Sequence, residues 1–194
     1  MYMNQENKNK KIAVIGHTKG IGKAIAHLYK RKKYEIVGLS RTTGYDLETD
    51  QEKIMDKLVD CELIVINAYA KFGQYELLKR IYSKFHHHYK KVVVITSTSG
   101  TPQGKDEDNY GADYNDYCWH KEHLIKYVSE LQEDLFNKPL SVYDVCPDVV
   151  DTDMIKGMWE DLPKLKADEV ADTVRYCFES PFNINKIVMQ KNVG

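Results

Sequence analysis

Short unbroken apolar runs alternate along the chain with longer stretches in which apolar residues recur every three or four positions. The runs are "KIAVIG" (11–16), "YEIVGLS" (34–40), "ELIVIN" (62–67), "KVVVIT" (91–96), "LSVYDVC" (140–146) and "INKIVMQ" (184–190). They have strand length and are rich in β-branched residues, which predicts strands buried on both faces. "TTGYDL" leads into a short third element. Between the runs lie helical stripes. Ile21, Ala24, Ile25, Leu28 and Tyr29 share one face, as do Leu77, Leu78, Ile81 and Phe85 within 75–85. A shorter helix over 49–60 runs through Ile54, Leu58 and Val59, and a long one over 114–136 carries Tyr117, Lys121, Leu124, Val128, Leu131 and Leu135. A last helix, 167–179, has Asp168 near its start, where the helix dipole favours an anion. Strands alternating with helices predict a doubly wound parallel sheet in a three-layer α/β/α arrangement.

Composition narrows this picture rather than changing it. The chain has 194 residues and a formal charge of -1, enough for one domain over 11–194. The polar stretch 1–10 reads as a mobile tail without the apolar core of a secretory signal. Near-neutral charge gives no global pull toward nucleic acid or an anionic membrane. The apolar runs are far too short to span a bilayer. Cys61, Cys118, Cys146 and Cys177 are scattered, with no C-x-x-C pair. That spacing suits neither a zinc site nor a secreted disulfide frame, so a reducing cytoplasm and no metal are expected.

The candidate chemistry begins with "GHTKGIG". Gly16, Gly20 and Gly22 stand between a strand and a helix, with Thr18, Lys19 and Ile21 among them. Glycines there permit a tight turn, and the helix N-terminus offers free N–H groups to a pyrophosphate. A glycine-rich turn without a ligand is the alternative. The next strand ends in Ser40 and Arg41 rather than an acidic residue, and a guanidinium suits a 2'-phosphate. With Lys19 as a second positive charge, the pattern favours NADP(H) over NAD(H). In "YCWHK", Tyr117 and Lys121 stand one helical turn apart, and a nearby ammonium is expected to lower the phenol pKa toward general acid–base use. Ser97, directly after the most strand-like run, lies at the sheet edge where α/β proteins bind ligands.

Taken in this order, "GHTKGIG", "RTTGYDL", "INA", "TSTSG", "YCWHK" and "CPDVVDTDM" resemble the short-chain dehydrogenase/reductase family. The resemblance implies a Rossmann fold and hydride transfer between NAD(P)H and a small carbonyl or alcohol. Ser97 would polarise the carbonyl, Tyr117 would pass the proton, and Lys121 would lower the tyrosine pKa and hold the nicotinamide ribose. Asp46 and Leu47 match the pair flanking the adenine, and Asn67 and Ala68 the segment beside the adenine ribose. Pro147, Val150 and Thr152 match positions around the nicotinamide carboxamide.

The chain departs from the family pattern at Ile15, at Tyr69 in place of a glycine, and at Asp148 after Pro147. The middle helix lacks the asparagine that often relays protons, and 154–166 is a short substitute for a longer substrate lid. A non-catalytic NADP-binding sensor or scaffold therefore stands as the alternative, with an altered activity using Asp148 as a third reading. The acidic loop 104–113 is expected near the site mouth. Tyr110 and Tyr114 are weaker candidates than Tyr117, since neither has a lysine four residues on. His86 to His88 close the middle helix without the geometry of a metal site, and His120 and His123 are expected on a helix exterior or subunit contact. Trp119, Ile125 and Tyr127 broaden the apolar face of the long helix, which predicts a homodimer or homotetramer.

Overall fold

The computed structural model describes residues 10–102 and 111–192. The tail expected over 1–10 lies outside the described residues except for Lys10, as does most of the acidic loop, with Tyr110.

Six parallel strands form one sheet in the order β2-β1-β3-β4-β5-β6. They are β1 (Lys11–Ile15), β2 (Glu35–Leu39), β3 (Leu63–Ile66), β4 (Lys90–Ile95), β5 (Leu140–Pro147) and β6 (Lys186–Met189). The helices are α1 (Gly20–Arg31), α2 (Gln51–Leu58), α3 (Gly73–Phe85), α4 (Gly111–Asp134) and α5 (Ala167–Glu179). The period of two within each strand divides the apolar residues between two cores. Ala13, Ile15, Ile64, Ile66, Val92 and Val94 face α2, α3 and α4. Ile12, Val14, Val65, Val93, Ile95 and Val145 face α1 and α5. Both faces are covered, so the doubly wound three-layer expectation holds.

"TTGYDL" begins inside a turn that follows β2 directly. Arg41–Thr43 forms a single tight helical turn in which Ser40 and Thr43 cap each other, and Gly44 closes it at φ +83°. The hydroxyls satisfy the backbone locally, leaving no ladder for a further strand to join. Lys90 is buried, and its ammonium donates to the carbonyls of Leu58, Val59 and Cys61 at 3.1, 2.7 and 2.7 Å. It thus ties the turn after α2 to the start of β4.

The sheet order reverses between β1 and β3, because the chain leaves β1 for β2 on one side and returns to β3 on the other. The crevice at the C-terminal ends of those two strands is where such sheets bind ligands.

Candidate active site

The glycine turn sits at that crevice. Gly16 takes φ +89° and Gly20 φ +50°, in the left-handed region that glycine tolerates. Gly22 packs so closely that a Cβ there would lie 2.0 Å from the Gly16 carbonyl oxygen. The turn is bolted to its neighbours: Gly16 N–H donates to Leu39 O at 2.7 Å, Ala68 N–H to Ile15 O at 2.9 Å, and the Asn67 side chain to Gly16 O at 3.2 Å. Asn67 and Ala68 therefore shape the turn from the end of β3. Lys19, the residue before α1, offers no side-chain cap, and the first turn of α1 has no acidic residue. The first N–H groups of α1 thus have no side-chain cap, the arrangement in which a helix N-terminus can take an anion such as a pyrophosphate.

Arg41 is exposed at the end of β2, while the Ser40 hydroxyl is turned inward onto Thr42 and Thr43. Lys19 is exposed and lies 4.0 Å from the Asp153 carboxylate. Thr18 is exposed and Ile21 half-buried. Asp46 is committed to its own turn, accepting from the Glu48 N–H at 2.8 Å, and Leu47 is buried in the core against Gly73.

Ser97 follows β4 directly and is buried. Its hydroxyl accepts from the Ser99 N–H at 3.2 Å and lies near enough to the Tyr117 phenol to favour its ionised form. Tyr117 and Lys121 stand one turn apart on α4, with the ammonium 5.7 Å from the Tyr117 ring centre. Ser97 from the end of β4 and the Tyr117/Lys121 pair from α4 thus meet at one sheet edge.

Burial shifts both ionisable groups. It pushes the Tyr117 phenol up to about 12, against the downward pull of the Ser97 hydroxyl and with a further upward push from Tyr114. The sequence expectation was a lowered phenol pKa; the direction here is opposite because desolvation of the anion dominates. Burial also pulls the Lys121 ammonium down to about 7, with Asp144 and Cys146 opposing the fall.

Pro147 ends β5, and Val150 pairs with Leu165 to close the base of the 154–166 segment. Thr152 packs over the glycine turn, 3.0 Å from where a Gly20 Cβ would be. The Asp148 carboxylate accepts from Thr98 at 2.8 Å, which ties β5 to the Ser97 turn.

Residues that the sequence pattern does not connect to Tyr117 pack against it. Tyr69 lies edge-on to Tyr117, with ring centres 4.8 Å apart, and its hydroxyl pairs with His120 Nδ1 at 3.0 Å. His120 is therefore part of the site wall rather than a purely exterior residue. On the other side, Tyr114 stacks on Tyr117 at 6.2 Å and meets Trp159 at 5.8 Å, so the short lid reaches the site through aromatic contact. Beneath lies a polar cluster of Gln74, Thr96 and Asp144, all buried. A sequence signal existed for two of these. Gln74 occupies the apolar stripe of α3 with Leu77, Leu78 and Ile81, and Asp144 interrupts an inward row of β5. A polar residue in a core stripe calls for partners.

Solved structures share this architecture. One is a 3-alpha-hydroxysteroid dehydrogenase from Pseudomonas sp. B-0831 complexed with NADH, 17% identical with a TM-score of 0.76 over 93% of this chain and 94% of that one. A small-chain dehydrogenase in complex with NADPH is 16% identical, TM-score 0.72, over 93% and 95%. A short chain dehydrogenase from Burkholderia cenocepacia J2315 in complex with NADP is 13% identical, TM-score 0.75, over 94% and 89%. The fold is that of the short-chain dehydrogenases. No protein-family model and no curated protein matches the sequence. Within this dehydrogenase fold the glycine turn, Ser97, Tyr117 and Lys121 lie along the C-terminal edge of the sheet. No described helix is long and apolar enough to cross a membrane.

Proposed function

We propose that the chain is a short-chain oxidoreductase that uses NADP(H) in preference to NAD(H) and acts on a small carbonyl or alcohol. The observation that carries this reading is the convergence of Ser97, Tyr117 and Lys121 at the sheet edge that also carries the uncapped N-terminus of α1. The named complexes with NADH, NADPH and NADP support a nicotinamide cofactor. The backbone of the glycine turn would hold the pyrophosphate, and Arg41 with Lys19 would take the 2'-phosphate. Bound there, the dinucleotide supplies or accepts the hydride.

The chain's own residues handle the proton and the orientation. In the reducing direction the Tyr117 Oη–H is the proton given to the developing alkoxide, while the Ser97 hydroxyl holds the same oxygen. Lys121 adds positive charge behind the ring, which eases proton loss from a phenol that burial alone makes a weak acid. A narrow site walled by Tyr69, Tyr114 and Trp159 suits a small apolar or aromatic substrate body.

The decisive variant is Tyr117→Phe. Turnover on a panel of aldehydes and ketones, followed by nicotinamide absorbance, should vanish while NADPH binding persists; unchanged turnover would move the chemistry elsewhere. A non-catalytic NADP-binding module is the second reading, favoured by the packing of Tyr69 on Tyr117. Tight NADPH binding with Tyr117→Phe and the parent equally silent across the panel would support it. The half-exposed Trp119, packed on Phe72 and His123, supports assembly into a homodimer or homotetramer through α4.

A further inference from the structure

The polar cluster behind Tyr117 is organised by a single amide. Gln74 stands in the first turn of α3 and is almost fully buried. Its Nε2 donates to Ile66 O at 3.0 Å and to Ile95 O at 3.1 Å. These carbonyls end β3 and β4, and carbonyls only accept. A flipped amide would set Oε1 against two oxygens, so its orientation is fixed. Oε1 must then face away from both strands, and it accepts from Lys121 Nζ at 2.7 Å.

Lys121 donates a second bond to Ile95 O at 3.0 Å. Its other side is closed by the rings of Tyr69 and Tyr117, at 5.9 and 5.7 Å. The titratable groups around the ammonium are Tyr69 after β3, Tyr117 on its own helix, and Asp144 and Cys146 on β5. Asp144 is the acid among them. Thr96 donates to one of its oxygens and Lys186 lies 3.5 Å from the other. The partner that touches the Lys121 ammonium is thus a neutral, rigidly aimed oxygen.

We infer that Gln74 is a positioning residue, whose locked amide fixes the Lys121 ammonium against the ring of Tyr117. The inference rests on the proposed roles of Tyr117 and Lys121 and extends them to the helix across the site. It also gives a reason for glutamine. A carboxylate could not donate to Ile66 O and Ile95 O, and its negative charge would offset the field of the ammonium at Tyr117. An apolar side chain would leave the ammonium a single backbone acceptor and favour the neutral amine.

The test observes Lys121 directly and requires no substrate. In full-length protein labelled with 13C-lysine, the Lys121 Cε resonance is assigned by its loss in Lys121→Met and followed against pH. The parent midpoint is expected near the value of about 7 that burial gives it. Gln74→Met should lower that midpoint and Gln74→Glu raise it, each by about one pKa unit or more. Gln51→Leu is the control, since Gln51 is another buried glutamine holding two carbonyls, Leu47 O and Gly73 O, and neither is a partner of the Lys121 ammonium. It should reduce stability and leave the Lys121 midpoint in place. An unchanged midpoint in whichever Gln74 variant folds would overturn the inference, because a merely structural glutamine predicts that outcome. If the midpoint moves but no carbonyl panel supports turnover, the reductase reading fails while the positioning role stands.

Discussion

Gly22→Ala tests whether the glycine turn is built as tightly as its contacts indicate. The added methyl would lie 2.0 Å from Gly16 O and 2.8 Å from the Asn67 amide nitrogen. A carbon normally approaches a carbonyl oxygen no closer than about 3.3 Å, so something must retreat by more than about 1 Å. Gly16 has nowhere to go. Its N–H is held by Leu39 O at 2.7 Å, and its own Cα faces Ala68, only 2.9 Å from where a Cβ would sit. Overpacking of this kind costs about 1–3 kcal/mol. Loss of the Asn67–Gly16 hydrogen bond adds about 1 kcal/mol. Alanine's better helix propensity returns about 1 kcal/mol, since Gly22 lies within α1. The net loss is about 1–3 kcal/mol, or a fall in Tm of about 2–12 °C for a chain of this size. Urea unfolding followed by circular dichroism measures the first number. NADPH titration by fluorescence measures the second consequence, a loss of affinity of at least about tenfold, equal to about 1.4 kcal/mol of displaced phosphate contacts. A Gly22→Ala protein as stable as the parent and still binding NADPH would refute the reasoning, because propensity alone would then have decided the outcome.

Two further outcomes are expected. Arg41→Ala removes an exposed guanidinium, so it should leave Tm unchanged, weaken NADPH and leave NADH alone; equal parent affinities for the two cofactors would sink the NADP(H) preference. Burial pushes the thiols of Cys61 and Cys177 up to about 11. The unfolded thiols ionise first, so stability should fall as pH rises from the ordinary thiol value toward 11, by at most about 3 kcal/mol for each. The difference in unfolding free energy between the parent and Cys177→Ala should shrink over that window, and a constant difference would contradict the assignment.

The lesson for reading the sequence lies in particular residues. The two-sided apolar runs of β1, β3 and β4 announced a covered parallel sheet, since no other sheet needs both faces apolar. Tyr117 and Lys121 were legible because helical spacing alone puts them on one face. The turn at Arg41–Thr43 was harder, because Ser40 and Thr43 satisfy each other through a local choice that periodicity does not record.

The sequence by itself determined the layers, the alternation and the glycine turn, because those follow from period, chain chirality and backbone sterics within short windows. The surroundings of Tyr117 and Lys121 came only from the way distant segments pack together. Tyr69 reaches Tyr117 from another strand end, and Gln74 reaches Lys121 from another helix. The direction of the Tyr117 shift was decided in the same way. Spacing brings a lysine near a phenol, but desolvation depends on everything packed around it, and here that burial outweighs the downward pull of Ser97.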